Sequence, residues 1–174
     1  MNSQQITFHL AREKDVAEIN HLLQQNSAVL QGTFSEESVR VLLSERGAWV
    51  LLARQEERLE GVLFTHPHAA NAPEIITGML NAWPPGKYCW IYGPVCIATH
   101  ARGSGLLEAL FARACRHYGM RNPVLFINHD NHASLKAHMR IGLQPVAHFS
   151  YESKRFAVLS LVKNPSTEKA PPGE

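Results

Sequence analysis

The chain has 174 residues, a length that fits one domain with a full hydrophobic core. Apolar residues make up 45% and charged residues 18%, which excludes a wholly disordered or collagen-like chain. Seventeen Lys and Arg residues against fifteen Asp and Glu residues give a net charge of +2, and the basic residues are scattered. We therefore expect neither nucleic acid nor a membrane surface as a partner, because both need a clustered basic face.

The first half of the chain predicts strands and helices in turn. Alternation over residues 6–10 predicts a short strand, and apolar spacing from Asp15 to about Gln25 predicts an amphipathic helix. The segment Thr33-Phe34-Ser35-Glu36 has the form of a capping box and predicts the start of a second helix. The apolar runs 49–53 and 59–65 predict a hairpin.

Residues 66–87 are rich in proline and glycine and predict a long loop with one helical turn around Glu74 to Leu80. Long ordered loops often carry function, so this loop is either a substrate lid or wall, or a surface excursion. Trp83, within the loop, is a candidate for contact with a substrate.

The second half predicts four more strands and two more helices. The strands cover residues 88–98, 124–127, 144–149 and 156–162. One helix follows Gly105, and the other covers residues 131–141 and ends at Gly142. Hairpins mixed with helical crossovers predict an α/β fold of the α+β type, with helices packed on a mixed sheet. The polar residues 164–174 predict a flexible tail, which leaves residues 1–163 as a single domain.

The cysteine content and the N-terminal residues predict the cellular compartment of the protein. Cys89, Cys96 and Cys115 contain no Cys-x-x-Cys pair, so neither a disulfide framework nor a zinc site is expected. The N-terminus lacks the pattern of a signal peptide, and no run approaches the roughly 18 apolar residues of a membrane span. The sequence predicts a cytoplasmic protein with reduced thiols.

The segment 97–107 carries the strongest chemical signal. A buried strand runs into a glycine-bearing turn that opens an amphipathic helix, and such a turn aims free backbone N–H groups at an anion. Gly103 and Gly105 let a phosphate approach the backbone, while Arg102 and His100 add charge or a donor. A pyrophosphate suits this shape, although glycine in a strand-to-helix turn also serves geometry alone, and a nucleotide would fit the same anion site.

Two motifs resemble those of the GNAT N-acetyltransferase superfamily. The family's acyl-CoA motif Gln/Arg-x-x-Gly-x-Gly/Ala corresponds to His100-x-x-Gly103-x-Gly105, which departs at its first position. The family's motif Asn-x-x-Ala-x-x-x-Tyr-x-Lys-x-Gly-Phe corresponds to Asn131-x-x-Ser134-x-x-x-His138-x-Arg140-x-Gly142-Leu143. The element order over residues 6–162 also matches, so the resemblance covers nearly the whole chain.

The resemblance implies a mostly antiparallel sheet of about seven strands, flanked by about four helices and splayed between strands four and five. It implies acetyl-CoA as cosubstrate and a primary amine, on a small molecule or a protein, that attacks the thioester directly. The implied cofactor-binding residues are Ile97, Ala98, His100, Arg102, Gly103, Ser104, Gly105, Leu106, Asn131 and Ser134. Dimers are common among such proteins, so a homodimer is compatible with the resemblance.

The catalytic residues are less defined. His138 stands where the family has its tyrosine general acid, and it either takes over that role or packs on its helix beside Leu135. Tyr92, His66 and His68 are polar candidates for the general base, and a water chain is the alternative.

Two further features limit the functional interpretation. The donors at residues 129–132 lack the usual zinc spacing, so we expect no metal, and we expect Cys96 to be a buried, unreactive thiol. The missing tyrosine, and a strand 89–96 without a carboxylate, leave open a non-catalytic CoA-binding regulatory module.

Overall fold

The structure, a computed structural model, describes residues 5–26, 34–68 and 72–161. The strands are β1 (Ile6–Leu10), β2 (Trp49–Gln55), β3 (Arg58–His66), β4 (Trp90–Ile97), β5 (Pro123–Asn128), β6 (Gln144–Tyr151) and β7 (Lys154–Ser160). The α-helices are α1 (Val16–Gln25), α2 (Glu36–Ser44), α3 (Glu74–Ala82), α4 (Leu106–Tyr118) and α5 (His132–Arg140). None of these helices is long and apolar enough to cross a membrane.

The seven strands form one mixed sheet in the order β1-β2-β3-β4-β5-β7-β6. Every neighbouring pair is antiparallel except β4 and β5, which are parallel. These two strands pair only at their beginnings, through Trp90 with Pro123 and Ile91 with Val124. Beyond Ile91 they separate, so the predicted splay is confirmed. The register of β4 against β3 also shifts next to Gly93, just past the last pair with β5.

Helices cover both faces of the sheet, as the alternation of strand side chains requires. On β3, Leu63 packs with α4, while its neighbours Val62 and Phe64 pack with α1 and α2 on the opposite face. On that second face α3 buries Ile76 and Met79 against β5, β6 and β7. The core is therefore continuous on the α4 face and divided into two clusters on the other.

The second helix begins later than the sequence predicts. Its N-cap is Ser35, whose Oγ accepts a hydrogen bond from the Ser38 N–H at 3.1 Å, while Ser38 Oγ accepts from the Ser35 N–H at 2.8 Å. Glu36 is the first helical residue, so the capping box predicted with Glu36 as its last member is wrong. A serine at the third helical position closes the same pair of bonds as a glutamate. Thr33 itself lies outside the described residues.

The predicted long loop is more regular than expected. It contains the nine-residue helix α3 and the 3₁₀ turn Pro84–Tyr88, which makes five α-helices in the described ranges rather than about four. Pro73 is the N-cap of α3 and Pro84 begins the turn, positions where proline favours helix starts. Arg121 fixes both ends of this excursion, donating from Nη2 to the carbonyls of Pro67 at 2.5 Å and Cys89 at 3.2 Å.

The C-terminal hairpin is confirmed with shifted ends, since β6 runs to Tyr151 and β7 begins at Lys154. The predicted tail, residues 164–174, lies outside the described residues.

Candidate functional site

The glycine turn is built as the sequence suggests. Beyond β4 the chain makes one 3₁₀ turn, Thr99–Ala101, and Gly103 and Gly105 follow with φ of +78° and +87°. Only glycine adopts such φ values without strain. Gly105 is also the N-cap of α4, a helix of 13 residues, and a Cβ at either glycine would meet no atom within 4 Å. Open space and unpaired helix N–H groups therefore coincide, which suits an anion.

Helix α5 forms the facing wall. Asn131 is its N-cap, and the Asn131 side chain accepts a hydrogen bond from the Ser134 N–H at 3.2 Å. From there Ser134, His138 and Ile141 recur at helical spacing along one face of the helix. The cap fixes where the helix starts, and so fixes which side chains point toward the turn.

A cavity of about 340 Å³ lies between these two elements and the end of β4. It is within the size range of small-molecule sites. Seven of the ten predicted cofactor residues line it: Ile97, Arg102, Gly103, Gly105, Leu106, Asn131 and Ser134. The other three, Ala98, His100 and Ser104, belong to the same turn but do not line the cavity. Two motifs that are far apart in the sequence thus face one space.

His138 lines the buried end of this cavity, and Tyr92, which does not line the cavity, lies behind it. His138 is 3% exposed, and its Nδ1 lies 2.8 Å from the carbonyl oxygen of Ser134. A carbonyl only accepts, so Nδ1 carries the proton and Nε2 is the acceptor. Nε2 therefore receives the hydrogen bond from the Tyr92 hydroxyl at 2.8 Å. This bond links β4 to α5 across the gap where β4 and β5 separate.

Burial sets the protonation of this pair. Desolvation lowers the pKa of His138, only partly offset by its bond to the Ser134 carbonyl, because a charged imidazolium loses its hydration. Burial likewise raises the pKa of Tyr92, since a phenolate is equally disfavoured there. Both groups are therefore neutral at neutral pH, and the pair holds one proton on oxygen and one on Nδ1.

Arg102 is engaged within the protein. Its Nη2 donates to Asn26 Oδ1 at 2.5 Å, and its Nε donates to the Ile97 carbonyl at 3.3 Å. Asn26 is buried at the end of α1, is held by its own bond to the Leu22 carbonyl at 2.8 Å, and lines the cavity. Nothing in the local sequence of Asn26 signals this role, because the contact spans 76 residues.

The remaining candidates lie in other surroundings. His66 donates from Nδ1 to the backbone carbonyl of His68 at 2.6 Å, beyond the lining of the described cavity. Cys96 does line the cavity, but burial raises the pKa of its thiol to about 11, which keeps it protonated. His129 lies instead against His148, with 2.8 Å between ring nitrogens. Trp83 packs beside the core cluster under α3.

No family model matches the sequence, and no curated protein matches it either. Solved structures do match. The chain is 12% identical to a GNAT-family acetyltransferase from Streptococcus agalactiae, with a TM-score of 0.70 over 92% of this chain and 97% of that one. It is 19% identical to yncA from Salmonella typhimurium, solved with its cofactor acetyl-CoA, with a TM-score of 0.65 over 97% and 99%. It is 11% identical to the ribosomal-protein-S18-alanine N-acetyltransferase from Escherichia coli, with a TM-score of 0.66 over 90% and 93%.

Proposed function

Because the chain has the fold of the GNAT acetyltransferases, we propose that it is an acetyl-CoA-dependent N-acyltransferase acting on a primary amine by direct attack. One observation carries the proposal. The glycine turn of one family-like motif and the helix of the other line a single cavity, at the place where β4 and β5 separate. A nucleotide bound by the glycine turn alone would not explain why the second motif, on α5, lines the same cavity.

The proposed cosubstrate fits the lining. Backbone N–H groups of residues 103–106, at the positive end of the α4 dipole, hold the pyrophosphate, while the Arg102 N–H donates to the Thr99 carbonyl at 3.4 Å. The apolar side chains of Ile97, Leu106 and Ile141 contact the pantetheine arm, with Asn131 and Ser134 as its polar partners. The three predicted residues outside the lining shape the turn from behind, as Ser104 does by donating to the Ala101 carbonyl.

The chemistry makes two demands that β4 and its surroundings answer. The amine must attack as a neutral base, and the thioester carbonyl then becomes an oxyanion. On the side facing β5, β4 has no ladder partner beyond Ile91, so its backbone groups are available to a ligand there. One well-placed N–H stabilises such an oxyanion by about 3–4 kcal/mol.

We assign proton handling to Tyr92 and His138 as a pair. Nε2 of neutral His138 carries no proton, so His138 orients the Tyr92 hydroxyl by accepting its hydrogen bond. When the C–S bond breaks, the Tyr92 O–H turns from Nε2 to the sulfur and stabilises the departing thiolate by a hydrogen bond, and its raised pKa keeps the proton on the phenol. The proton that the amine loses when the C–N bond forms passes to a chain of water molecules.

A second candidate is a CoA-binding regulatory module without turnover. It is favoured by one observation: both ring nitrogens of His138 are already hydrogen-bonded inside the protein. It predicts the same cofactor affinity and no acetylated product.

The experiment has two steps. Thermal unfolding is followed with acetyl-CoA, and with ATP as the control; a ligand at about 100 times its Kd adds roughly 2.7 kcal/mol to the free energy of unfolding. Release of free CoA is then measured with a panel of small primary amines and amino-terminal peptides. A rise in Tm with acetyl-CoA alone, followed by turnover, supports the transferase. A rise without turnover supports the module, and no rise overturns both.

A further inference from the structure

Glu60 is a buried carboxylate in a strand of apolar neighbours. Its side chain is fully buried on β3, between Leu59 and Gly61. Removing a carboxylate from water is costly unless cations or donors compensate it. Neither the cavity lining nor the proposed chemistry uses Glu60, so its burial needs another explanation.

Side chains approach both oxygens of the carboxylate. Oε1 accepts a hydrogen bond from Arg58 Nε at 2.7 Å, whereas Oε2 makes no hydrogen bond with the described residues and lies in close contact with Nε2 of His100. Both partners reach in from the surface, since their side chains are 62% and 54% exposed. The two partners differ in position: Arg58 lies on the same strand as Glu60, whereas His100 lies in the 3₁₀ turn after β4.

The backbone of Glu60 makes a second link to the same turn. Its carbonyl accepts from the Ala98 N–H at 2.8 Å, which continues the β3–β4 ladder past the pair of Gly61 and Ile97. Two neighbouring points of the turn, Ala98 and His100, are thus tied to one buried residue. The chain from there to Gly105 has no regular secondary structure other than the 3₁₀ turn.

We propose that Glu60 is a positioning residue for the pyrophosphate-binding turn, and that it acts through His100. The inference rests on the proposed function, because it assumes that the turn binds acetyl-CoA. It also accounts for the one departure in the first motif. His100 does not line the cavity. Its imidazole contacts Glu60 instead, and through this contact β3 holds the turn in the conformation that binds the ligand.

The test compares three variants by calorimetric titration with acetyl-CoA. Glu60→Leu and His100→Ala each remove the contact with the turn, and we expect each to raise the Kd at least about tenfold, the range for a lost contact with a charged group. Arg58→Gln is the matched control, because it removes the partner of the other oxygen of the same carboxylate without touching the turn. Its Kd is expected to stay within about twofold of the wild-type value.

The double variant Glu60→Leu/His100→Ala separates positioning from general destabilisation. If the two residues act as one link, the double variant binds no more weakly than either single one. Because the His100 side chain is 54% exposed, His100→Ala is expected to fold, so it reports on affinity even if Glu60→Leu fails to fold.

The outcomes distinguish the two proposals. Wild-type protein that binds acetyl-CoA, with an unchanged Kd in His100→Ala, overturns the role of Glu60 alone. Equal losses of affinity in His100→Ala and Arg58→Gln also overturn it, because the effect would then follow the buried charge and not the turn. Wild-type protein that fails to bind acetyl-CoA overturns the proposed function and this inference together.

Discussion

The two ends of the cavity are built from different parts of the chain. The outer end is main chain: a turn with two glycines of positive φ at the start of α4. The inner end is side chain: the imidazole of His138 from α5 lines the cavity, and the phenol of Tyr92 from β4 lies behind it, 46 residues away in the sequence. The outer end depends on the absence of side chains at its two glycines, whereas the inner end depends on a contact between two specific side chains. The two ends should therefore fail in different ways.

The largest effect is expected at the outer end. Gly105→Glu places a bulky anion at the helix N-terminus, where the pyrophosphate would bind, and should raise the Kd for acetyl-CoA by more than about 100-fold. Gly105→Ala is the control, since it carries the same backbone penalty of roughly 1–2 kcal/mol at positive φ without the charge. Titration of both variants, with Tm as the check on folding, decides the matter. Equal affinity in the two variants would mean that no phosphate lies against Gly105.

The inner end should respond in rate and not in affinity. Tyr92→Phe and His138→Phe are each expected to lower kcat about 100-fold, the usual range for losing an acid–base group, with the KM for acetyl-CoA within about threefold. Because the two groups act as a pair, the double variant should be no slower than the single ones. Steady-state kinetics with the best amine of the panel tests this. Wild-type kcat in Tyr92→Phe would remove the pair from the mechanism.

The smallest expected effect is a pH dependence of the free energy of unfolding, caused by His138 at the inner end. The pKa of His138 is lowered in the folded protein from its ordinary 6.5, so below that pH the unfolded chain binds more protons than the folded one. The free energy of unfolding contributed by His138 therefore falls as pH drops through 6.5. Urea unfolding at pH 7.5, 6.5 and 5.5 should show a steeper loss in the wild type than in His138→Phe. Parallel curves would contradict the buried, neutral state.

The sequence predicts the fold well because the signals that specify it are local. Strand alternation, helical spacing and the glycine turn each involve neighbouring residues, and the turn is found where expected. The errors have local causes too. Proline in 66–87 predicts loop, but Pro73 and Pro84 stand at the starts of a helix and a turn, where the missing N–H costs nothing.

The parts of the site that sequence reasoning missed are contacts between distant elements. Asn26 reaches Arg102 from the end of α1, and Glu60 reaches His100 from β3. Neither Asn26 nor Glu60 belongs to a motif. In a sequence, a glutamate within a strand predicts an exposed face, so the burial of Glu60 could not be predicted. His138 and Tyr92 were both named from the sequence, yet their hydrogen bond could not be, because it exists only once β4 and α5 are placed side by side.

The narrow junction between β4 and β5 has a mechanical consequence. Two residue pairs join a four-stranded half-sheet, β1 to β4, to a three-stranded half-sheet of β5, β7 and β6. The apolar core on the α4 face crosses this seam between the half-sheets, so backbone pairing and not packing is sparse there, and we expect local opening of the sheet to begin at the seam. Two side-chain contacts add to the connections along it: the Tyr92–His138 hydrogen bond and the hydrogen bonds from Arg121 to the carbonyls of Pro67 and Cys89. A ligand in the cleft touches both halves, and its binding should slow amide exchange along the whole seam.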